Sequence, residues 1–242
     1  MIDSQPPASF ATTHWSLVLA AGQRALPEGE KALASLCQAY WPAVYVFVRR
    51  QVADLHDAQD LTQAFFTQLL EKNLVAVAQP ERGRFRSFLL AAVQNFLHNE
   101  RDKQRALKRG GGKPVLALDF LQGDSRYSFE PADTLTPERL YERQWALALL
   151  AQVMVRLREE YAKAEKEAIF DLLKGFLSGA GADTSLADIA RQLGISANAA
   201  KVAAHRLRKR YRDLLRAEVA HTLADPQEID QEIRALFAAV RP

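Results

Sequence analysis

From Leu33 to Val48 the apolar residues Leu33, Leu36, Cys37, Tyr40, Trp41, Val44, Phe47 and Val48 fall three and four apart, the repeat of one helix face. The spacing returns in "FRSFLLAAVQNFL", through Phe85, Phe88, Leu89, Ala92, Phe96 and Leu97. It returns again at Leu140, Trp145, Leu149, Val153 and Leu157. No segment alternates apolar and polar residues with a period of two. The chain is therefore expected to be all-α, its helices burying one stripe each against other helices.

Local signals divide this pattern. Pro42 inside the first run predicts a kink or break there. Asp57, with Asp60 three residues later, predicts a helix that starts near Asp57 and runs to about Val75. Pro80 and Gly83 make "VAQPERGRFRSF" a loop. Residues 110–136 are rich in Gly, Asp, Ser and Pro and read as a linker. Thr136, Pro137 and Glu138 then open a helix as cap, first position and first-turn acid. The resulting division is an N-terminal extension (1–29), a helical domain (30–109), a linker (110–136), a second helical domain joined by the linker to the first (137–221) and a C-terminal helical extension (222–242). In the last of these Ile229, Ile233, Leu236, Phe237 and Val240 form an apolar face. It is expected to cap the second domain, the alternative being that it covers a binding surface.

The net charge of +3 decides little, but its distribution is uneven. Basic residues gather in Arg101–Lys113 and Lys201–Arg216, which suggests two contacts with a polyanion such as nucleic acid. The lone cysteine, Cys37, permits no internal disulfide and reads as a buried, inert thiol. No signal peptide or membrane-spanning run is visible, so a cytoplasmic location without membrane contact is expected. Catalysis finds no support. His14, His56, His98, His205 and His221 lack metal-ligand spacing, "RGGGK" lacks the strand and hydroxyl residue of a phosphate loop, and no nucleophile stands near a base. No catalytic residue, metal or cofactor is expected.

Two constellations point to nucleic acid. "SLADIARQLGIS" followed by "ANAAKVAAHRLRKR" has helix-turn-helix form: Gly194 allows the tight turn, Ile195 fills the gap and Ser196 caps the second helix. Ala197, Ala199 and Ala200 keep that helix slim at its start. Ser196, Asn198, Lys201, His205, Arg206, Arg208 and Lys209 are its candidate contacts to base edges and phosphates. In "ERGRFRSFLLAAVQNFLHNERDKQR" arginines and aromatics interleave, a mixture suited to single-stranded DNA. There Arg84, Arg86, Asn95, Asn99, Arg101 and Arg105 are candidate contacts, and the phenylalanines read as core.

Taken in order, "DAQDLTQAFFTQLL", "GRFRSFLLAAVQNFL", the linker and "SLADIARQLGISANAAKVAAHRLRKR" resemble a sigma-70-like RNA polymerase sigma factor of the extracytoplasmic-function (ECF) type, over about residues 30–106 and 137–220. The resemblance implies a sigma region 2-like first domain and a region 4-like second domain. The helix holding Asp57, Asp60, Gln63 and Phe66 would dock on the clamp helices of the largest subunit of core polymerase, with the flap as a further contact. The Arg84–Arg105 constellation would capture the −10 promoter element, and the helix after Ser196 would read the −35 element. The linker would thread toward the RNA exit path. Chemistry would belong to the polymerase.

The docking helix departs from the family pattern, with Gln59 and Ala64 where acids are usual and Thr62 between them. "DLTQAFF", "TTHWSLVLA", "KRGGG" and the C-terminal helix resemble a subgroup controlled by serine/threonine kinases. That implies Thr62 as a phosphorylation site whose phosphate would restore the missing charge. Two other readings stay open: a helix-turn-helix regulator that binds duplex DNA without core polymerase, and an all-helical interaction adaptor with incidental basic patches.

Overall fold

The structure, a computed structural model, describes residues 14–23, 26–110, 135–177 and 185–241, the side chains of 104–110 excepted. The described residues are helical throughout, with no strand. The helices are α1 (Trp15–Gly22), α2 (Pro27–Arg49), α3 (Leu55–Glu71), α4 (Phe85–Gly110), α5 (Pro137–Lys163), α6 (Glu167–Leu173), α7 (Leu186–Gln192), α8 (Ala197–Ala220) and α9 (Ile229–Val240), with short 3₁₀ turns between some of them. The all-α expectation holds for these residues. The readings of the N-terminal tail and of most of the linker (111–134) lie outside them.

The chain forms two compact units, cut differently from the expected domains. The first takes the described part of Met1–Ala148 together with His221–Pro242, and the second is Leu149–Ala220. The C-terminal segment, expected to go with the second domain, is thus grouped with the first unit.

In the first unit α2 supplies the central stripe: Leu33, Leu36, Tyr40, Val44, Phe47 and Val48 are buried. The helix continues through Pro42, so the expected break is absent. Proline costs a helix interior about 3 kcal/mol. Burial of an aliphatic or aromatic side chain returns roughly 1.5–3 kcal/mol, and several around Pro42 are fully buried, so tertiary packing outweighs the local penalty.

Helix α3 begins earlier than Asp57. Asp54 is its cap, accepting from the backbone N–H groups of His56 (2.7 Å) and Asp57 (3.0 Å). These bonds, the one to Asp57 foremost, hold its carboxyl below the usual carboxylate range. The helix ends at Glu71, short of Val75, where Asn73 takes a left-handed conformation (φ 46°).

Helix α4 buries Phe85, Leu89, Val93, Phe96 and Leu97. Phe85 meets Trp15 and Tyr40 edge to face, and Phe96 meets Phe65. These phenylalanines are core, as expected. At the start of α5 the Thr136 hydroxyl accepts from the Arg139 N–H (3.3 Å), with Pro137 in the first turn, as the sequence indicates. Leu140, Tyr141 and Trp145 are buried nearby, and the Tyr141 hydroxyl donates to the Arg86 carbonyl at 3.0 Å.

The second unit packs the rest of α5 (Leu149, Val153, Leu157) with Phe170 and Leu173 of α6, Ile189 of α7 and Ala204, Leu207 and Leu214 of α8, all buried. Arg210 grips Glu160 through two hydrogen bonds of 2.6 Å, the main cause of a Glu160 carboxyl held low. Arg156 reaches the buried Glu218 at 2.6 Å.

Candidate nucleic-acid interface

In the second unit the turn between α7 and α8 is built as its sequence suggests. Ser185 caps α7 by accepting from the Asp188 N–H (3.2 Å). At the far end Gly194 has φ +64°, the left-handed region that glycine enters without penalty. The Ile195 N–H reaches back to the Ala190 carbonyl (3.0 Å) and the Gly194 N–H to the Arg191 carbonyl (3.3 Å), the paired bonds of a Schellman stop. Ser196 then caps α8 by accepting from the Ala199 N–H at 3.1 Å.

This turn fixes the phase of α8. Ala200, Ala204, Leu207, Leu214 and Val219 face the core. Asn198, Lys201, His205, Arg208, Lys209 and Arg212 run along the exposed side at spacings of one to four, joined by Arg206. The exposed alanines Ala197 and Ala199 leave the start of the helix slim. Arg208 lies over the Phe176 ring (5.8 Å) and donates to the Phe176 carbonyl (3.3 Å), which orients one cation of the row. All seven residues expected to contact DNA here (Ser196, Asn198, Lys201, His205, Arg206, Arg208 and Lys209) are exposed on one helix and its cap. The row is electrostatically suited to a polyanion.

The first-unit constellation is divided. Asn95, Asn99 and Arg101 are exposed on α4, Asn95 and Asn99 one turn apart, and Arg101 donates to the Gln51 side chain at 2.8 Å. The Arg105 side chain lies outside the described residues. Arg84 precedes α4 and follows Gly83, whose φ of +114° suits glycine alone. Arg84 is 29% exposed and pairs with Glu232 of α9 at 2.8 Å. Arg86, expected to meet DNA, is instead 5% exposed. Its Nε donates to Glu142 (2.8 Å), its Nη1 faces Glu232, and its guanidinium lies over the Trp145 ring at 4.0 Å. Burial pulls the guanidinium pKa down, and Glu142 and Glu232 more than offset this, leaving it above the usual arginine value.

The α3 candidates divide as well. Asp57 and Asp60 are exposed and Gln63 is half-buried. Phe66 is core, stacked on Trp41 and edge to face with Phe65, and so is not on the outer face where docking was expected. Thr62, expected on the same outer face, is 0% exposed and its hydroxyl donates to the Ala58 carbonyl at 2.7 Å. The buried stripe is Ala58, Thr62, Phe65, Phe66 and Leu69. The outer stripe is Asp57, Asp60, Ala64, Thr67 and Glu71. A phosphate on Thr62 has no room while this helix stays packed.

Glu142, Trp145 and Glu232 escaped the sequence reading of the site. One signal for Glu232 was present: it stands three residues after Ile229 and four before Leu236, a charge inside the apolar stripe of α9. Among the described residues no group of three His, Cys, Asp or Glu side chains could hold a metal ion, and no helix is long and apolar enough to cross a membrane. Neither protein-family models, curated proteins nor solved structures give a match to this chain.

Proposed function

We propose that the protein is a sigma factor of the ECF type, a helix-turn-helix protein that joins core RNA polymerase and directs it to promoters. The observation that carries the reading is the basic row of α8, set beyond a tight Gly194 turn and begun by small residues, an arrangement suited to the major groove. The order of motifs along the chain adds the polymerase to the DNA: an α3 surface carrying Asp57 and Asp60, then an arginine-bearing loop, then α4 with exposed amides. The reading is tested by binding of the purified chain to purified core polymerase, with Asp57→Lys and Asp60→Lys as controls. Saturable binding weakened by these reversals supports it. Absence of binding by the wild-type chain, both before and after kinase treatment, rejects it.

A regulator that binds duplex DNA without polymerase is the second reading. It is favoured by one contrast: the α8 row is exposed, whereas Arg84 and Arg86 are engaged with carboxylates. Duplex binding unaffected by core polymerase would select it.

Kinase control belongs to the first reading under a condition set by burial. Thr62 becomes a substrate only after α3 turns or lifts from the core. A kinase acting on the packed chain meets Thr67, on the outer stripe, first.

A further inference from the structure

Glu232 is fully buried on α9, on the same stripe as Ile229, Ile233 and Leu236. Burying a carboxylate there is not the tightest way to fix a helix, because apolar side chains of similar volume commonly stabilise as well or better. The Glu232 oxygens pair with Arg84 Nη2 (2.8 Å) and with Arg86 Nη1. Two guanidiniums thus converge on one carboxylate.

The anchors of Arg86 do not depend on α9. Glu142 and the Trp145 face hold its guanidinium, and the Tyr141 hydroxyl holds its backbone carbonyl. Arg86 therefore keeps its orientation if Glu232 withdraws. Beside it Arg84 supplies a second guanidinium, and two neighbouring guanidiniums suit a phosphodiester, whose oxygens accept several N–H bonds at once. Arg84 is already partly open to solvent, and the exposed amides of Asn95 and Asn99 lie farther along α4, within the chemistry of unpaired bases.

We propose that Arg84 and Arg86 form a backbone-phosphate site for single-stranded nucleic acid, and that Glu232 occupies it as a carboxylate stand-in until a strand displaces α9. The inference rests on the nucleic-acid reading above and adds a mask to it.

The test uses the full chain and a fluorescent oligothymidine of about twelve nucleotides, within the span of common single-strand sites. Anisotropy is measured across a salt series for wild type and Glu232→Gln. The variant is expected to bind about tenfold tighter at low salt. Its plot of log affinity against log salt should be steeper by about 0.7–1.4, one or two added phosphate contacts. Adding Arg84→Ala should remove the gain. In the wild type, amides of 229–240 should exchange hydrogen faster at saturating oligonucleotide, an arm that decides the matter even if Glu232→Gln does not fold. A folded Glu232→Gln with wild-type affinity and slope, or α9 exchange unchanged by bound strand, overturns the mask. A parallel duplex titration separates the two levels. Duplex binding through α8 with no mask effect defeats this inference alone. Loss of both strand forms in every sample, with and without core polymerase, defeats the nucleic-acid reading as well.

Discussion

Thr62 is the residue whose position changes its meaning most. The sequence places Thr62 in a helix expected to dock and short of acids, and helical spacing alone does not say which way it faces. Packing chose the stripe of Ala58, Phe65 and Leu69, because two adjacent phenylalanines bury more area on that side. Thr62→Val is therefore expected to change stability by less than about 1 kcal/mol: the shape is kept, and the Ala58 carbonyl retains its helical partner. Thr62→Glu should cost at least about 3 kcal/mol, since it buries an unpaired charge. Urea denaturation of both variants checks the pair, and a Thr62→Glu chain as stable as wild type would place Thr62 at the surface. Cys37, expected to be a buried and inert thiol, is half-buried. Burial pushes its thiol up to about 11 from 9.0. The folded state then holds a proton that the unfolded state loses first, so this thiol's contribution to stability is present below pH 9 and declines as pH rises from there toward 11. At pH 8 a disulfide reagent should label Cys37 more slowly in buffer than in urea; equal rates would contradict its partial burial.

At the scale of elements, starts and stops written in side-chain chemistry were legible. Thr136 with Pro137 opened α5, and Gly194 with Ser196 joined α7 to α8, because each motif satisfies backbone groups within four residues of itself. Those decided by distant packing were not. Asp54 caps α3 in place of Asp57, although both offer a carboxylate, and α2 passes through Pro42. The α9 stripe was placed nearly right, but Phe237 is 40% exposed and Glu232 takes an inner position, a choice made by the arginines on α4 and before it. The Gly194 turn gives a direct prediction. An added Cβ meets nothing within 4 Å, so Gly194→Ala is strained only by φ +64°. It should cost about 1–2 kcal/mol by thermal or urea unfolding. Gly194→Asn, which tolerates the left-handed region better, should lose less, and the reverse order would argue against this turn.

At the scale of the whole molecule, the all-helical class and the basic row of α8 were readable because both depend on periodicity. The grouping of units was not. Residues 221–242 are remote in sequence from Arg84 and Arg86, and only the buried charge on α9 hinted at the pairing. The proposed function makes the charge distribution do two separate jobs, one on duplex and one on single-stranded DNA. Lys201→Ala and Arg206→Ala should each weaken duplex binding across sequences and lower the salt slope by about 0.9 where the residue meets a phosphate. Stability should stay within about 0.5 kcal/mol of wild type, since both are exposed. The most direct measurement is transcription in vitro by purified core polymerase on genomic fragments, with RNA 5′ ends sequenced with and without this chain. The account predicts a set of discrete start sites that appear only with the chain and fade with Lys201→Ala and Arg206→Ala combined. A 5′-end profile identical to that of core polymerase alone would contradict it.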